Sequence, residues 1–243
     1  MKENYKTIVF KRTDSLEPFM IEATREIADH FKSKRPYFMQ FCSVIRSSYS
    51  WDIKNWENQF KRHEVIFERL KGTKLVKIMK KAFNNCNSKA DLNKLRGTMV
   101  ESLLIAKNGG YNILSKNSKK TFGWGAKVVL HKGDQQSEVA YICPYNKSGV
   151  VDKNGCRRRS SIDFASWDGF HGQFYECKVL PDKIGCSEVE YMKTLKEELN
   201  QYQISHEVFF VSVYDKEAVE EILKGYDLKE PAYKAIGIKE LGV

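Results

Sequence analysis

Three charged residues lie within two short apolar stretches of the chain. Asp163 is in the stretch 160–165, and Glu176 and Lys178 are in the stretch 173–179. A charge inside an apolar strand is costly unless another group pairs with it, because the strand's side chains are largely removed from water. These three residues are therefore the first candidates for a functional site.

The two stretches predict neighbouring β-strands joined by a turn at 167–172. The period-two alternation places Ile162 and Phe164 on one face of the first strand and Asp163 on the other. On the second strand, Glu176 and Lys178 share a face. If the strands pair as a hairpin, Asp163 can face both of these residues.

Two carboxylates beside a lysine predict a site for Mg²⁺, with Mn²⁺ as a substitute, because hard cations prefer oxygen ligands. A divalent metal stabilises the charge that develops during phosphodiester hydrolysis and acidifies the attacking water. Lys178 has two possible roles. It could stabilise charge, or it could act as the base if desolvation lowers its pKa.

The pattern resembles the PD-(D/E)XK nuclease superfamily, whose fold is restriction-endonuclease-like. Asp163 is followed, after twelve residues, by Glu176-Cys177-Lys178 and then by a predicted helix and an apolar strand. Upstream, Glu101 interrupts an apolar helical run, where such nucleases often place another acidic ligand. The resemblance implies four metal ligands, with Lys178 beside the attacking water. These ligands are Asp163, Glu176, the backbone carbonyl of Cys177 and, directly or through water, Glu101.

The resemblance covers roughly residues 88–215 and departs from the family at one position. Ile162 stands where the family usually has a proline before its aspartate. A plainer interpretation makes the hairpin an exposed one, with a cross-strand Asp–Lys pair and with Glu176 and Lys178 facing water. In that interpretation Glu101 is a glutamate on a helix surface.

The rest of the chain predicts the elements that would position these residues. Residues 1–87 predict a basic, mostly helical region for DNA contact or dimerisation, and residues 88–243 predict the nuclease core. In the core, a long helix beginning at Ser88 precedes three or four short strands, among them 126–130 and 138–142, and then a helix, a strand and a helix. This order predicts an α/β protein, with an α+β mixed sheet flanked by helices and a restriction-endonuclease-like core.

Charge is distributed unevenly along the chain. Lys and Arg number 41 against 31 Asp and Glu, a net charge of +10. Residues 1–100 hold 21 basic and 11 acidic side chains, whereas residues 161–243 hold 9 and 16. Such a gradient favours a basic face that binds a polyanion. The residues that we assign to phosphate contacts are Arg157, Arg158, Arg159, Lys77, Lys80 and Lys81.

Other patterns exclude several classes of protein. The six cysteines form no C-x-x-C pair, so a structural zinc site is not expected. No apolar run approaches the roughly 18 residues of a transmembrane helix, and residues 1–14 do not resemble a signal peptide. We therefore expect a soluble, cytoplasmic protein with no membrane partner.

Together these features predict a Mg²⁺-dependent endonuclease that cleaves double-stranded DNA, as a restriction or phage-defence enzyme. Cutting both strands of a symmetric duplex site would favour a homodimer. Two alternatives stay open. One is a catalytically inactive nucleic-acid-binding protein of the same fold, and the other is a nuclease selective for junctions, single strands or RNA.

Overall fold

The structure is a computed structural model that describes residues 6–33, 36–115, 120–143 and 158–242. Helices occupy most of the first half of the chain. Over all the described residues, the α-helices are α1 (Pro18–Phe31), α2 (Phe38–Ser48), α3 (Trp56–Arg69), α4 (Thr73–Asn84), α5 (Lys89–Lys107), α6 (Cys186–Gln201), α7 (Lys216–Gly225) and α8 (Ile238–Leu241).

Seven strands form one mixed sheet. They are β1 (Lys6–Arg12), β2 (Thr121–Lys132), β3 (Gln135–Glu138), β4 (Ile162–Trp167), β5 (His171–Lys178), β6 (Ser205–Ser212) and β7 (Lys234–Ile236). Their order is β1-β2-β4-β5-β6-β7, with β3 also paired to β2. The pairs β5–β6 and β6–β7 are parallel, and the other pairs are antiparallel. The predicted α/β class, a mixed sheet flanked by helices, is confirmed.

Helices cover both faces of the sheet, and successive residues of a strand belong to different cores. On β5, Phe174 packs into a cluster with residues of α6 and α7. Its neighbour Tyr175 packs into the other cluster, with residues of α1 to α5. Because both faces are buried, a charged side chain on β4 or β5 must find a partner inside the protein.

The long helix α5 begins where the sequence predicts it. The Ser88 hydroxyl accepts a hydrogen bond of 3.1 Å from the backbone N–H of Asp91, which satisfies one of the free donors at the helix start. Along α5, Met99, Leu103 and Ala106 are buried, and they hold the helix against the sheet.

Five elements differ from the expectations. Four of them were not predicted from the sequence, namely β1, α2, β7 and α8. The strand expected at 138–142 is shorter and earlier, because β3 ends at Glu138 and only an isolated bridge joins Tyr141 to Arg159. Strand β1 lies within residues 1–87 yet pairs along its whole length with β2, so packing is continuous across residue 87. The functional division at that residue stays a prediction.

Within the described parts of the chain, no helix is both long and apolar enough to cross a membrane.

Candidate functional site

The predicted hairpin is present, and its backbone pairing ends just before Asp163. Strands β4 and β5 pair antiparallel from Trp167 opposite Gly172 to Phe164 opposite Tyr175. One residue beyond, the Asp163 side chain replaces the backbone acceptor, because its Oδ2 accepts a 2.7 Å hydrogen bond from the N–H of Cys177. The carboxylate is thereby fixed between the two strands.

The alternation of β4 side chains between the two faces of the sheet is interrupted at Asp163. Ile162 packs in the cluster with α6, whereas Phe164 packs in the cluster with α1 to α5, so the expectation that they share a face is wrong. Their partners on β2 are Ala126 and Trp124, and between these two lies Gly125 with a φ of +52°. This left-handed backbone suits glycine and locally distorts the sheet beside Asp163.

Arg159 lies at the centre of a group of carboxylates. Its Nη2 is 3.1 Å from Oδ1 of Asp163 and also contacts Oε2 of Glu176, while its Nη1 is 3.2 Å from Oε1 of Glu188. Burial lowers the pKa of Arg159, but the carboxylates of Glu176, Asp163 and Glu188 outweigh it and raise the pKa above its usual value. The guanidinium therefore stays charged.

Lys178 contacts two of the same carboxylates. Its Nζ lies 3.0 Å from Oε1 of Glu176 and 3.0 Å from Oε1 of Glu188. Burial lowers the pKa of Lys178, but Glu176 and Asp163 raise it to a net value above the usual one. For Glu188, the opposing effect of burial is overcome by Lys178 and Arg159, and its pKa falls to about 2. Glu188 is thus a permanent anion in this group.

Glu176 is fully buried, as its position in β5 predicts. Burial raises its pKa to about 7, although Arg159 and Lys178 act in the opposite direction. The predicted hairpin therefore does bring Asp163, Glu176 and Lys178 to one place, and Glu176 does not face water as it would in an exposed hairpin.

Glu101 of α5 joins this place from the other face of the sheet. Its Oε2 accepts a hydrogen bond from the indole Nε1–H of Trp124. Burial and the charge of Asp163 raise the pKa of Glu101 to about 8, while the bond from Trp124 lowers it. Glu101 is therefore not a glutamate on an exposed helix surface, and without a cation it keeps its proton near neutral pH.

Asp14 is a fifth acidic residue of this group and, like Glu188, was not predicted from the sequence. The backbone N–H groups of Thr13 and Asp14 both donate to the carbonyl oxygen of Gly125. A β-carbon at Gly125 would lie 2.1 Å from Oδ2 of Asp14, so the missing side chain makes room for this carboxylate. Burial and the nearby charge of Asp163 raise the pKa of Asp14.

Several of these groups border a cleft of about 650 Å³, but Arg159 and Glu176 are not among the residues that line it. Asp14 and Tyr49 line it from the N-terminal region, Glu101 from α5, and Asp163 and Lys178 from the strands. Both predicted regions of the chain therefore contribute to one site. Further basic residues that line the cleft, none of which the sequence analysis assigned, are Lys89, Lys94, Arg96 and Lys183.

The residues predicted to contact phosphate do not lie together in this cleft. Lys80 pairs with Glu64 at 2.8 Å and Lys81 with Glu22 at 3.0 Å, while Lys77 is exposed, all three on α4. Of the arginines, Arg158 is exposed, Arg157 lies outside the described residues, and Arg159 is committed to the site carboxylates. A phosphate contact from Arg159 would need these ion pairs to break.

The donor chemistry fits a hard divalent cation, but the carboxylates are not arranged around a single point. Asp163, Glu176 and Glu101 supply carboxylate oxygens, and the charges of Asp163 and Glu176 help to raise the pKa of Glu101. Within the described residues, no three His, Cys, Asp or Glu side chains are placed to hold a metal ion together. Arg159 instead bridges Asp163 and Glu176.

The pKa of Glu101 predicts how the stability of the metal-free protein depends on pH. Its ordinary value is 4.5 and its folded value is about 8, so the folded state holds a proton that the unfolded state has released in this range. The contribution of Glu101 to the free energy of unfolding therefore falls as pH rises from about 4.5 to about 8. We expect Glu101→Gln to reduce this fall and to raise Tm at pH 8.5 by several degrees, since 1 kcal/mol corresponds to roughly 2–4 °C for a chain of this size.

Thermal unfolding in EDTA between pH 5 and pH 8.5 measures this effect. Exposed Glu68→Gln is the matched control and should follow the wild-type curve. Wild type and Glu101→Gln with the same pH dependence would show that Glu101 ionises normally.

Comparisons with known proteins identify no family. No family model matches the chain, and no curated protein matches it. A similar solved structure is that of protein VC1899 from Vibrio cholerae, with 12% identity over 98% of this chain and a TM-score of 0.43. This chain spans about 56% of the length of that one, and so distant a likeness assigns neither an activity nor a substrate.

Proposed function

We propose that this protein is a Mg²⁺-dependent endonuclease that hydrolyses phosphodiester bonds of double-stranded DNA. One observation carries the proposal. Asp163, Glu101 and Lys178 come from two strands and a helix, and they line one cleft of about 650 Å³. The buried Glu176 lies directly behind Lys178, 3.0 Å from its Nζ. A buried concentration of carboxylates beside a lysine is costly for folding, and a functional site is where such a cost is normally found.

The metal would be held by the carboxylates of Asp163, Glu176 and Glu101 and by the backbone carbonyl of Cys177. When bound, it would supply Lewis-acid stabilisation of the phosphate and a more acidic water. The protein's own groups position these ligands: the Cys177 N–H holds Asp163, and the Trp124 indole holds Glu101. Lys178 adds a positive charge to the site.

The substrate class follows from charge and from the resemblance to a known nuclease superfamily. The net charge of +10 and the basic residues along the cleft favour a polyanion. The resemblance to the PD-(D/E)XK superfamily supports DNA cleavage in restriction or phage defence. A homodimer with two such sites would cut both strands of a symmetric sequence.

A second function is favoured by the ion pairs of Arg159. If Arg159 and Lys178 neutralise the carboxylates permanently, the protein binds nucleic acid without cleaving it. The two functions differ in one measurable property, because only the nuclease requires a divalent cation for its effect on DNA.

Cleavage of supercoiled plasmid by the full chain in Mg²⁺, Mn²⁺ or EDTA tests the proposal. We expect nicked and linear products in either metal and none in EDTA. Salt-sensitive binding to plasmid with no cleavage in either metal would overturn the nuclease and support the binding protein. A four-way junction, single-stranded DNA and RNA belong in the same experiment, since preferential cleavage of any of them would replace duplex DNA as the substrate.

A further inference from the structure

Arg159 contacts the same carboxylates that the proposed function assigns to a cation. One nitrogen, Nη2, reaches both Asp163 and Glu176, which lie on neighbouring strands. The other, Nη1, reaches Glu188 at the start of α6. A single guanidinium thus joins three anions, as a divalent ion between them would.

The guanidinium of Arg159 does not use all of its hydrogen-bond donors. Its Nε is buried and has no hydrogen-bond partner among the described residues, and the same holds for the hydroxyl of Tyr191. The Tyr191 ring lies under the guanidinium, 5.8 Å from centroid to Cζ. A buried donor without a partner costs free energy, so charge holds Arg159 here more than a complete set of hydrogen bonds does.

The backbone of Arg159 is fixed, which leaves its side chain to move. Its N–H donates to the Tyr141 carbonyl at 2.9 Å, and the Tyr141 N–H donates back to Arg159 at 2.8 Å. A change of side-chain rotamer can therefore withdraw the guanidinium from Asp163 and Glu176 while the strand keeps its position.

We propose that Arg159 is an internal counter-cation that occupies the carboxylates in the metal-free protein and must leave Asp163 and Glu176 before a divalent ion binds. This inference rests on the proposed function, since it concerns the same site. It explains how Glu176 tolerates complete burial, since Arg159 supplies an opposite charge next to it. Metal binding and the Arg159 ion pairs are then mutually exclusive.

Calorimetric titration of the full chain with Mn²⁺, in the absence of DNA, tests the exclusion without relying on activity. Removing the competitor in Arg159→Gln is expected to tighten Mn²⁺ binding by at least about tenfold, or about 1.4 kcal/mol, because the ion no longer has to displace a charged hydrogen-bond donor from Asp163 and Glu176. Exposed Arg62→Gln is the matched control and should bind Mn²⁺ like wild type. Arg159→Gln with unchanged or weaker binding overturns the proposal.

Arg159→Lys separates competition from a general effect of charge. The variant keeps the positive charge but loses the planar fork that spans several carboxylates. Competition predicts tighter Mn²⁺ binding than in wild type, whereas a charge effect alone predicts equal binding and overturns the proposal.

If Arg159→Gln fails to fold, the wild-type protein supplies the decisive measurement. The Nε–H resonance of Arg159, assigned through Arg159→Lys, should shift or broaden when Ca²⁺ saturates the site, and an unchanged resonance at saturation contradicts exclusion. Failure of the proposed function is distinguishable. Wild-type cleavage that requires Mg²⁺, together with unchanged affinity in Arg159→Gln, rejects only the role of Arg159. No metal binding and no cleavage by any of these proteins rejects both.

Discussion

Asp163→Asn should lower Mg²⁺-dependent cleavage of plasmid DNA by at least about 100-fold while the protein stays folded. A metal contributes several kcal/mol to phosphodiester hydrolysis, and each 1.36 kcal/mol corresponds to a tenfold change in rate. The amide of asparagine can still accept the hydrogen bond from the Cys177 N–H, which in wild type measures 2.7 Å. What the substitution removes is the negative charge that faces the cation and Arg159.

Initial cleavage rates at saturating Mg²⁺, with circular dichroism as the test of folding, measure this loss. Asp134→Asn is the matched control, since Asp134 is exposed in the turn between β2 and β3 and does not line the cleft. It should retain the wild-type rate. A folded Asp163→Asn protein with near wild-type cleavage would remove Asp163 from the proposed site.

The sequence predicted the parts of the site that depend on local pattern. Asp163, Glu176 and Lys178 stand out because each interrupts an apolar stretch, and a hairpin with a short turn keeps such residues close together. The helix carrying Glu101 was also predictable, since Ser88 caps its start and apolar residues recur along one face. Glu101 comes close to the strands because α5 packs on the sheet.

Contacts between distant parts of the chain were not predictable in this way. Asp14 enters the site because the loop after β1 crosses Gly125, more than 100 residues later. Glu188 was recognisable only as an acidic residue in the first turn of a predicted helix. Capping of that helix is enough to explain such a residue, so its position did not point to the site. Trp124 gave no sign that its indole would hold Glu101.

Arg159 shows why composition does not reveal which member of a basic run faces inward. Arg158 and Arg159 are adjacent, yet the first is exposed and the second joins three carboxylates. The bridge to Tyr141 fixes the backbone at Arg159 and so decides which side chain points inside. Strand β1, by contrast, did carry a signal, because Ile8 and Phe10 alternate with polar or exposed neighbours.

Lys178→Arg is expected to keep cleavage within about tenfold of wild type, whereas Lys178→Met should lose about 100-fold. Lys178 lies 3.0 Å from a carboxylate oxygen of each of Glu176 and Glu188, and two such anions hold its ammonium protonated. A protonated lysine cannot accept a proton from water, so we expect Lys178 to place a positive charge at the site rather than act as a base. Arginine preserves that charge, and methionine preserves only the length of the side chain.

Initial rates of the two variants at saturating Mg²⁺ decide between the roles that the sequence left open for Lys178. If Lys178 were the base, arginine would be as inactive as methionine, because a guanidinium stays protonated in proteins. Lys193→Met serves as the matched control, since Lys193 lies on α6, pairs with Glu190 at 2.8 Å and does not line the cleft. Equal and complete loss in Lys178→Arg and Lys178→Met, with Mn²⁺ affinity preserved in both, would therefore assign proton transfer to Lys178. The ion pairs with Glu176 and Glu188 would then have to break before each turnover.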